Sequence, residues 1–175
     1  KRRMVVDYSQ TINRFTQLDA YPQKRVDDLI EKVSQYSLFS TFDLKSAYHQ
    51  VPIKEEEKKF TAFEAAGNLY QFTRIPFGVT NGVAVFQRVI DTIIKIENLQ
   101  ATMAYVDNVT ICGDTEEEHN ANVEAFLRAA DKYNLTFNHH QSILKAKEIS
   151  LLGYLVSKGQ IKPDPERLRP LKELP

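Results

Sequence analysis

The chain has 175 residues, 42% of them hydrophobic and 26% charged, enough for one sizeable core and too few for two ordinary domains. Its 23 basic and 23 acidic residues cancel, so the positive excess of many nucleic-acid binders is missing and composition alone indicates an enzyme or a scaffold. No run of apolar residues is long enough to span a bilayer, and a single cysteine, Cys112, excludes a disulfide framework or a Cys-rich metal centre.

No signal-peptide core follows Lys1-Arg2-Arg3, so a soluble chain in a reducing, intracellular setting is expected. The missing initiator Met and the stop at Leu174-Pro175 read as an excerpt from a longer polypeptide. No repeat, low-complexity tract or Gly/Ser linker divides the chain, which predicts one continuous domain from about Met4 to Ile161.

In chain order, Met4 to Asp7 reads as a short strand. Val26, Leu29, Ile30 and Val33 fall on one face of a helix, approached by Tyr21-Pro22. Leu38 to Leu44 alternates apolar and small polar residues and predicts a strand with Asp43 at its end. Lys58 to Glu64 and Leu69 to Ile75 flank Ala66-Gly67-Asn68 as a hairpin. After the break at Pro76-Phe77-Gly78, the residues Phe86, Val89, Ile90, Ile93 and Ile94 give a long half-buried helix.

Ala101 to Val106 and Val109 to Cys112 predict a second hairpin turning on Asp107-Asn108. Thr115 and Glu118 form a capping box for a helix with Val123, Phe126, Leu127 and Ala130 inward, ending near Tyr133-Asn134. Leu135 to Phe137, Ile149 to Val156 and Gln160 to Lys162 complete the pattern as strands, the last two joined at Lys158-Gly159. The order predicts an α+β domain with helices packed on one face of an antiparallel sheet.

Two acidic residues stand where strands end, Asp43 and Asp107. On neighbouring strands they could meet, and paired carboxylates without His or Cys suit a hard cation such as Mg²⁺, the ion of phosphoryl and nucleotidyl transfer. The competing reading makes Asp43 a turn cap and Asp107-Asn108 a hairpin corner, and spacing alone favours it. His119, His139 and His140 lack ligand-like spacing for zinc and read as solvated. The run from Glu55 to Lys59 reads as a solvated turn, and the sequons at Asn108 and Asn134 carry no meaning in an intracellular chain.

The wording of the blocks adds to this. Phe39-Ser40-Thr41-Phe42-Asp43-Leu44-Lys45-Ser46-Ala47-Tyr48-His49-Gln50-Val51-Pro52-Ile53 resembles the first catalytic block of reverse transcriptases from gypsy-type LTR retrotransposons and retroviruses. Thr61-Ala62-Phe63, Tyr70 to Gly78 and Phe86-Gln87-Arg88 resemble the fingers hairpin and the second block, in the family's order. Tyr105-Val106-Asp107-Asn108 sits where the family has Tyr-x-Asp-Asp, and Leu151-Leu152-Gly153-Tyr154 resembles the block leading toward the thumb.

The resemblance implies an RNA-directed DNA polymerase domain of a retrotransposon Pol polyprotein: residues 1–162 the palm and part of the fingers, 163–175 the start of the connection toward the thumb or following region. It implies two Mg²⁺ ions, with Mn²⁺ as a substitute, held by Asp43 and Asp107. The implied partners are an RNA or DNA template with its primer, deoxynucleoside triphosphates, and the thumb and RNase H regions of the same polyprotein; the implied place is the cytoplasm and its virus-like particle. For the incoming nucleotide it implies Tyr48 beneath the sugar, Ser46 and Ala47 offering backbone N–H groups to the phosphates, and Phe77 and Gly78 under the base and template. Arg3 matches a basic residue on the triphosphate and equally reads as a solvated terminus; Phe77 equally reads as a core plug.

Three positions depart from the family pattern. Asn108 replaces the second aspartate of the Tyr-x-Asp-Asp block, Val83 stands where Pro is common, and Gln141 falls where a lysine often acts near the leaving pyrophosphate. At about 4 Å and an effective dielectric near 20 a unit charge pair is worth roughly 4 kcal/mol, so Asn108 predicts weakened or altered metal dependence. The alternatives are a catalytically inactive remnant that keeps the fold, and a different palm-type nucleotidyl transferase that would lack Tyr48 and its surrounding block.

Overall fold

The computed structural model describes residues 5–22, 24–138, 140 and 142–166, and its centre is a four-stranded antiparallel sheet. A short helix α1 (Ile12–Phe15) and the helix α2 (Val26–Ser34) precede β1 (Leu38–Asp43). One helical turn, α3 (Glu55–Lys58), the hairpin β2 (Phe63–Ala65) and β3 (Asn68–Tyr70), and the long helix α4 (Gly82–Ile96) come next. The hairpin β4 (Thr102–Tyr105) and β5 (Asn108–Gly113) leads into α5 (Glu116–Lys132). β6 (Ile143–Ala146), β7 (Glu148–Leu151), β8 (Tyr154–Ser157) and β9 (Gln160–Pro163) close the order. The main sheet runs β4-β5-β1-β6, with β2-β3 and β7-β8-β9 as two smaller sheets, which makes the domain α+β as expected. Among the described residues no helix is long and apolar enough to cross a membrane.

Side chains of a strand alternate between faces, and the β1–β5 register sorts them into two cores. Phe42 stands opposite Val109, and Ser40 opposite Ile111; Phe42, Val109, Ile111 and Ala104 meet Phe86, Ile90 and Ile93 of α4 and Phe126 and Ala129 of α5. Phe42, Phe126 and Phe137 form a triangle of tilted rings with centroids 5.3–5.7 Å apart. On the other face Phe39 stands opposite Cys112, under Leu29, Ile30 and Val33 of α2 and Ile149, Leu151 and Val156 of the β7-β8-β9 sheet, so the helices are not confined to one face as expected: the alternation of β1 gives both faces apolar side chains, and α2 covers the second. Burial pushes the Cys112 thiol up to about 12, so it stays protonated and acts as an apolar filler. This second cover does not extend to the Asp43 end, where Asp43 and Asn108 are only half-buried.

The structure differs from the sequence expectations in several places, each with a local cause. Val5 to Asp7 is irregular, and Met4 lies outside the described residues. Lys58 to Thr61 is helical rather than extended, because three glutamates open α3 at its favourable N-terminal end and Lys58 pairs with Glu55. The stretch from Ile149 to Val156 folds as two strands, with Leu152 (φ 51°) and Gly153 (φ 92°) both left-handed in a two-residue turn.

The expected strand at Leu135 to Phe137 contributes a single bridge, Phe137 to Leu44. The fourth strand of the main sheet is β6 instead, an edge strand joined to β1 with an irregular register. In α5, Ala129 takes the inward place expected of Leu127, which is 42% exposed. The Thr115 cap forms, its Oγ1 accepting from Glu118 N at 3.2 Å, while Glu118 Oε2 accepts from Asp114 N.

Gly113 ends β5 against the start of α5, where an added Cβ would lie 2.5 Å from His119 N and 2.6 Å from its Cα. Backbone cannot move aside as a flexible side chain can, so Gly113→Ala is expected to destabilise by about 3 kcal/mol, the upper range for overpacking. Gly67→Ala, at φ 74° with open space around it, should lose only about 1 kcal/mol. Urea denaturation of the two variants checks the ranking.

Candidate active site

The open end of the main sheet is built by register. Asp43 pairs directly with Asn108, and Leu44 N donates to Asp107 O at 2.7 Å, continuing the ladder one step. Antiparallel partners hold their Cα atoms about 4.5–5.5 Å apart and adjacent residues about 3.8 Å, so the Asp43 and Asp107 Cα atoms lie within about 9 Å. Asp107 is exposed at the hairpin tip, and Asn108 Oδ1 accepts from Thr110 Oγ1 at 3.4 Å.

The tip differs from the expected turn by one residue. Tyr105 pairs with Asn108, so the two-residue loop is Val106-Asp107, and Val106 takes φ 53°. A β-branched residue in the left-handed region costs about 1–3 kcal/mol and needs outside support. Gln87 supplies it from the buried face of α4: its Oε1 accepts from Val106 N at 2.8 Å and its Nε2 donates to Ala104 O at 3.1 Å. The Gln87 amide is fixed in turn by Asp91 at 3.1 Å, and Asp91 accepts from Tyr21 OH at 2.9 Å and Lys24 Nζ at 2.5 Å. Gln87 is 1% exposed, a polar residue on the helical face shared with Phe86 and Ile90, and that position was its signal in the sequence.

Tyr48 lies on a 3-10 turn, Ala47–Gln50, introduced by Ser46 in the left-handed conformation (φ 50°, ψ 52°). Ser46 is exposed, whereas the Ala47 side chain is buried in the core below. Tyr48 meets Phe77 edge-on at 5.4 Å and Phe86 at 6.0 Å; burial first, and the charge of Asp107 second, raise the pKa of its hydroxyl, which stays protonated at neutral pH. Rings continue outward from Phe77 to His49 (4.8 Å), Phe72 (6.4 Å), Phe63 (5.3 Å) and Tyr70 (5.7 Å), joining the β2–β3 hairpin to the turn.

Gly78 follows at φ 87°. Its carbonyl accepts from Asn13 Nδ2 at 2.8 Å, and Asn13 Oδ1 accepts from Thr80 N at 3.0 Å, so one amide clamps the loop.

Asp43, Asp107 and Asn108 thus share one end of the sheet, and Ser46, Ala47, Tyr48, Phe77 and Gly78 form a continuous group that reaches Asp107 through Tyr48. Arg3, Gln141 and His139 lie outside the described residues. His119 is buried with Nε2 on Ser40 Oγ at 2.9 Å, away from any role as a free ligand. Gln50, Asn13, Gln87 and Asn138 are the polar residues whose positioning contacts the sequence did not disclose.

Among the described residues no group of three His, Cys, Asp or Glu gathers that could enclose a metal ion. The pair of carboxylates at this end of the sheet, Asp43 and Asp107, nevertheless fits a hard cation that takes its other ligands from water and phosphate.

A family model described as reverse transcriptase (RNA-dependent DNA polymerase) matches residues 1–156. The chain is 30% identical over 174 residues to the Pol polyprotein of transposon gypsy and 33% over 173 residues to that of transposon opus, both of Drosophila melanogaster. It covers 99% of its own length in each comparison and only 17% of each relative, so it spans about a sixth of the proteins it matches. Its fold is that of foamy viral protease-reverse transcriptase: TM-score 0.90 for the form in complex with double-stranded DNA and 0.86 for the form with an RNA/DNA hybrid. Each is 22% identical, covering 99% of this chain and 30% or 23% of the other.

Replacing Gln87 by Leu keeps the volume but leaves the Val106 N–H without its partner. Gln87→Leu is expected to destabilise by about 2–3 kcal/mol, seen in urea denaturation, and to speed solvent exchange of the Val106 amide beyond that of the β5 amides.

Proposed function

The chain belongs to the reverse transcriptase (RNA-dependent DNA polymerase) family, and we propose that it supplies the palm and part of the fingers of such a polymerase within a longer Pol polyprotein. Residues 1–162 form this unit in the proposal, and 163–175 begin the connection onward. Its template is RNA or DNA, its substrates a primer and deoxynucleoside triphosphates, and its other partners the thumb and RNase H regions of the same polyprotein. The cytoplasm and its virus-like particle are the proposed place of action. The observation that carries the reading is the register that sets Asp43 against Asn108 and Leu44 against Asp107.

Reverse transcriptases as a family work with divalent metal ions. Asp43 and Asp107 would hold two Mg²⁺ ions, or Mn²⁺ in their place, with Asn108 offering a neutral oxygen beside them. Such ions lower the pKa of an attacking hydroxyl and neutralise charge on the transferring phosphate. The rest of the work falls to this chain's own groups. The backbone N–H groups of Ser46 and Ala47 would meet the triphosphate, and Arg3 would add a planar fork of donors suited to phosphate.

The Tyr48 ring, braced by Phe77 and Phe86, closes the space below the sugar, where a ribose 2′-hydroxyl would collide. Phe77 and Gly78 lie under the base and template. A specific observation favours the second reading, an inactive remnant that keeps the fold: Asn108 removes one negative charge from a site meant for two divalent ions.

Primer extension on an RNA template by the polyprotein that carries this chain separates the readings. Activity in Mg²⁺ or Mn²⁺ that drops more than about a hundredfold in Asp43→Asn, beyond the loss typical of an outer partner of a metal ligand, supports the polymerase. No product with either ion, and product restored by Asn108→Asp, supports the remnant. In an active enzyme Tyr48→Ala should lower the preference for deoxynucleotides over ribonucleotides about 10- to 100-fold; unchanged sugar discrimination would remove the role given to that ring.

A further inference from the structure

β1 has two neighbours where it ends. The β4–β5 turn with Asp107 lies on one side, and on the other the 136–138 segment extends the sheet. Lys45 N donates to Thr136 O at 2.9 Å, Leu44 bridges Phe137, and Asn138 N donates to Asp43 O at 2.8 Å. Asn138 then returns to the same residue through its side chain, Nδ2 donating to Asp43 Oδ2. We propose that Asn138 is a positioning residue for the Asp43 carboxylate and that Gln50 holds Asn138 in place; the inference rests on the metal-binding role proposed for Asp43.

A carboxylate that swings freely must be ordered each time a cation binds, and that ordering weakens binding. One donor on one oxygen removes most of this loss, because a carboxylate offers about four lone-pair sites and keeps the others for the ion. Lysine or arginine could also fix the oxygen, but a positive charge there would repel the cation. An amide NH₂ orients the carboxylate without net charge. Metal-binding carboxylates are commonly held by such outer hydrogen bonds.

Asn138 is itself anchored from two directions. From below, the Phe137 ring packs on Phe42 at 5.3 Å and Phe126 at 5.7 Å. From above, Gln50 grips both backbone groups of Thr136: Oε1 accepts from Thr136 N at 3.0 Å, and Nε2 donates to Thr136 O at 3.1 Å and Lys45 O at 2.6 Å. Ser142 Oγ donates to Asn138 O at 3.0 Å, and Arg74 Nη1 donates to Gln50 O at 2.7 Å. An unbroken series of contacts therefore runs from Arg74 through Gln50 and Thr136 to Asn138 and Asp43.

The test uses Mn²⁺ as probe, its binding followed by electron paramagnetic resonance on the intact polymerase with primer-template, with Asp43→Asn as the reference for site-specific binding. Asn138→Ala is expected to weaken Mn²⁺ binding about 10- to 100-fold and to raise the Mg²⁺ concentration for half-maximal extension by a similar factor, with KM for primer-template unchanged. Gln50→Glu keeps the acceptor for Thr136 N but sets a carboxylate against two carbonyl oxygens, so it should weaken Mn²⁺ binding less.

The double variant should match Asn138→Ala alone, since Gln50 acts through Asn138. Equal Mn²⁺ affinity in the wild type and Asn138→Ala overturns the proposal, and additive losses overturn the part given to Gln50. Should Asn138→Ala fail to fold, Asn138→Ser, too short to reach Asp43 Oδ2, carries the same measurement. If the wild type shows no Mn²⁺ binding that depends on Asp43, the role of Asp43 itself fails and takes this inference with it, an outcome distinct from a silent Asn138.

Discussion

The antiparallel ladder between β1 and β5 is the constraint on which the open end of the sheet depends. A slip of β1 by one residue would turn each of its side chains to the other face, taking Phe42 out of the helix-covered core and Phe39 from under α2. Burying a large apolar side chain is worth about 1.5–3 kcal/mol, so several such losses at once forbid the slip. The same register that satisfies both cores sets Asp43 beside Asn108. Polar groups at the accessible end are thus placed by apolar groups at the buried end, and none of the acidic residues needs to stabilise the fold to be held where it is.

What the ladder leaves open is the conformation of the tip. Val106 adopts a left-handed backbone that its branched side chain resists, and a single buried amide on α4 offsets the strain by engaging the turn on both sides of Tyr105. Asp91 occupies the centre of this arrangement, accepting from Gln87, Tyr21 and Lys24, so that the N-terminal segment and the long helix meet at one carboxylate, and Gln87 and Lys24 carry the link on to Ala104 O of the hairpin. Asn13 and Asn81 act in a similar way at the loop after Phe77: Asn81 Oδ1 accepts from Asp19 N at 3.0 Å, and its Nδ2 donates to Gln17 O at 2.8 Å. Amide side chains suit such places because each carries a donor and an acceptor and can replace a missing strand neighbour.

The sequence made the long elements plain where one periodicity dominated. The faces of α2 and α4 and the Thr115 cap of α5 are all visible in residue spacing. The turn between β4 and β5 was displaced by one residue because Asp-Asn is by local preference a better corner than Val-Asp, yet pairing with β1 decides the position. β6 escaped notice because, as an edge strand, it exposes both Ile143 and Leu144 and shows no alternation. Asp43 and Asp107 could be singled out from the sequence, but their approach follows only from strand pairing. Gln50 and Asn138 were hidden for another reason: their partners are backbone groups or one carboxylate far away in the chain, and backbone leaves no mark in composition.

The row of rings from Tyr70 to Tyr48 has a mechanical meaning. Aromatic neighbours favour offset and edge-on geometries over others, and here five successive contacts link an exposed two-stranded ribbon to a half-buried phenol. Pivoting the ribbon as a rigid flap would break at least one of those contacts, so its orientation and that of the Tyr48 ring belong to one lever rather than to two independent parts.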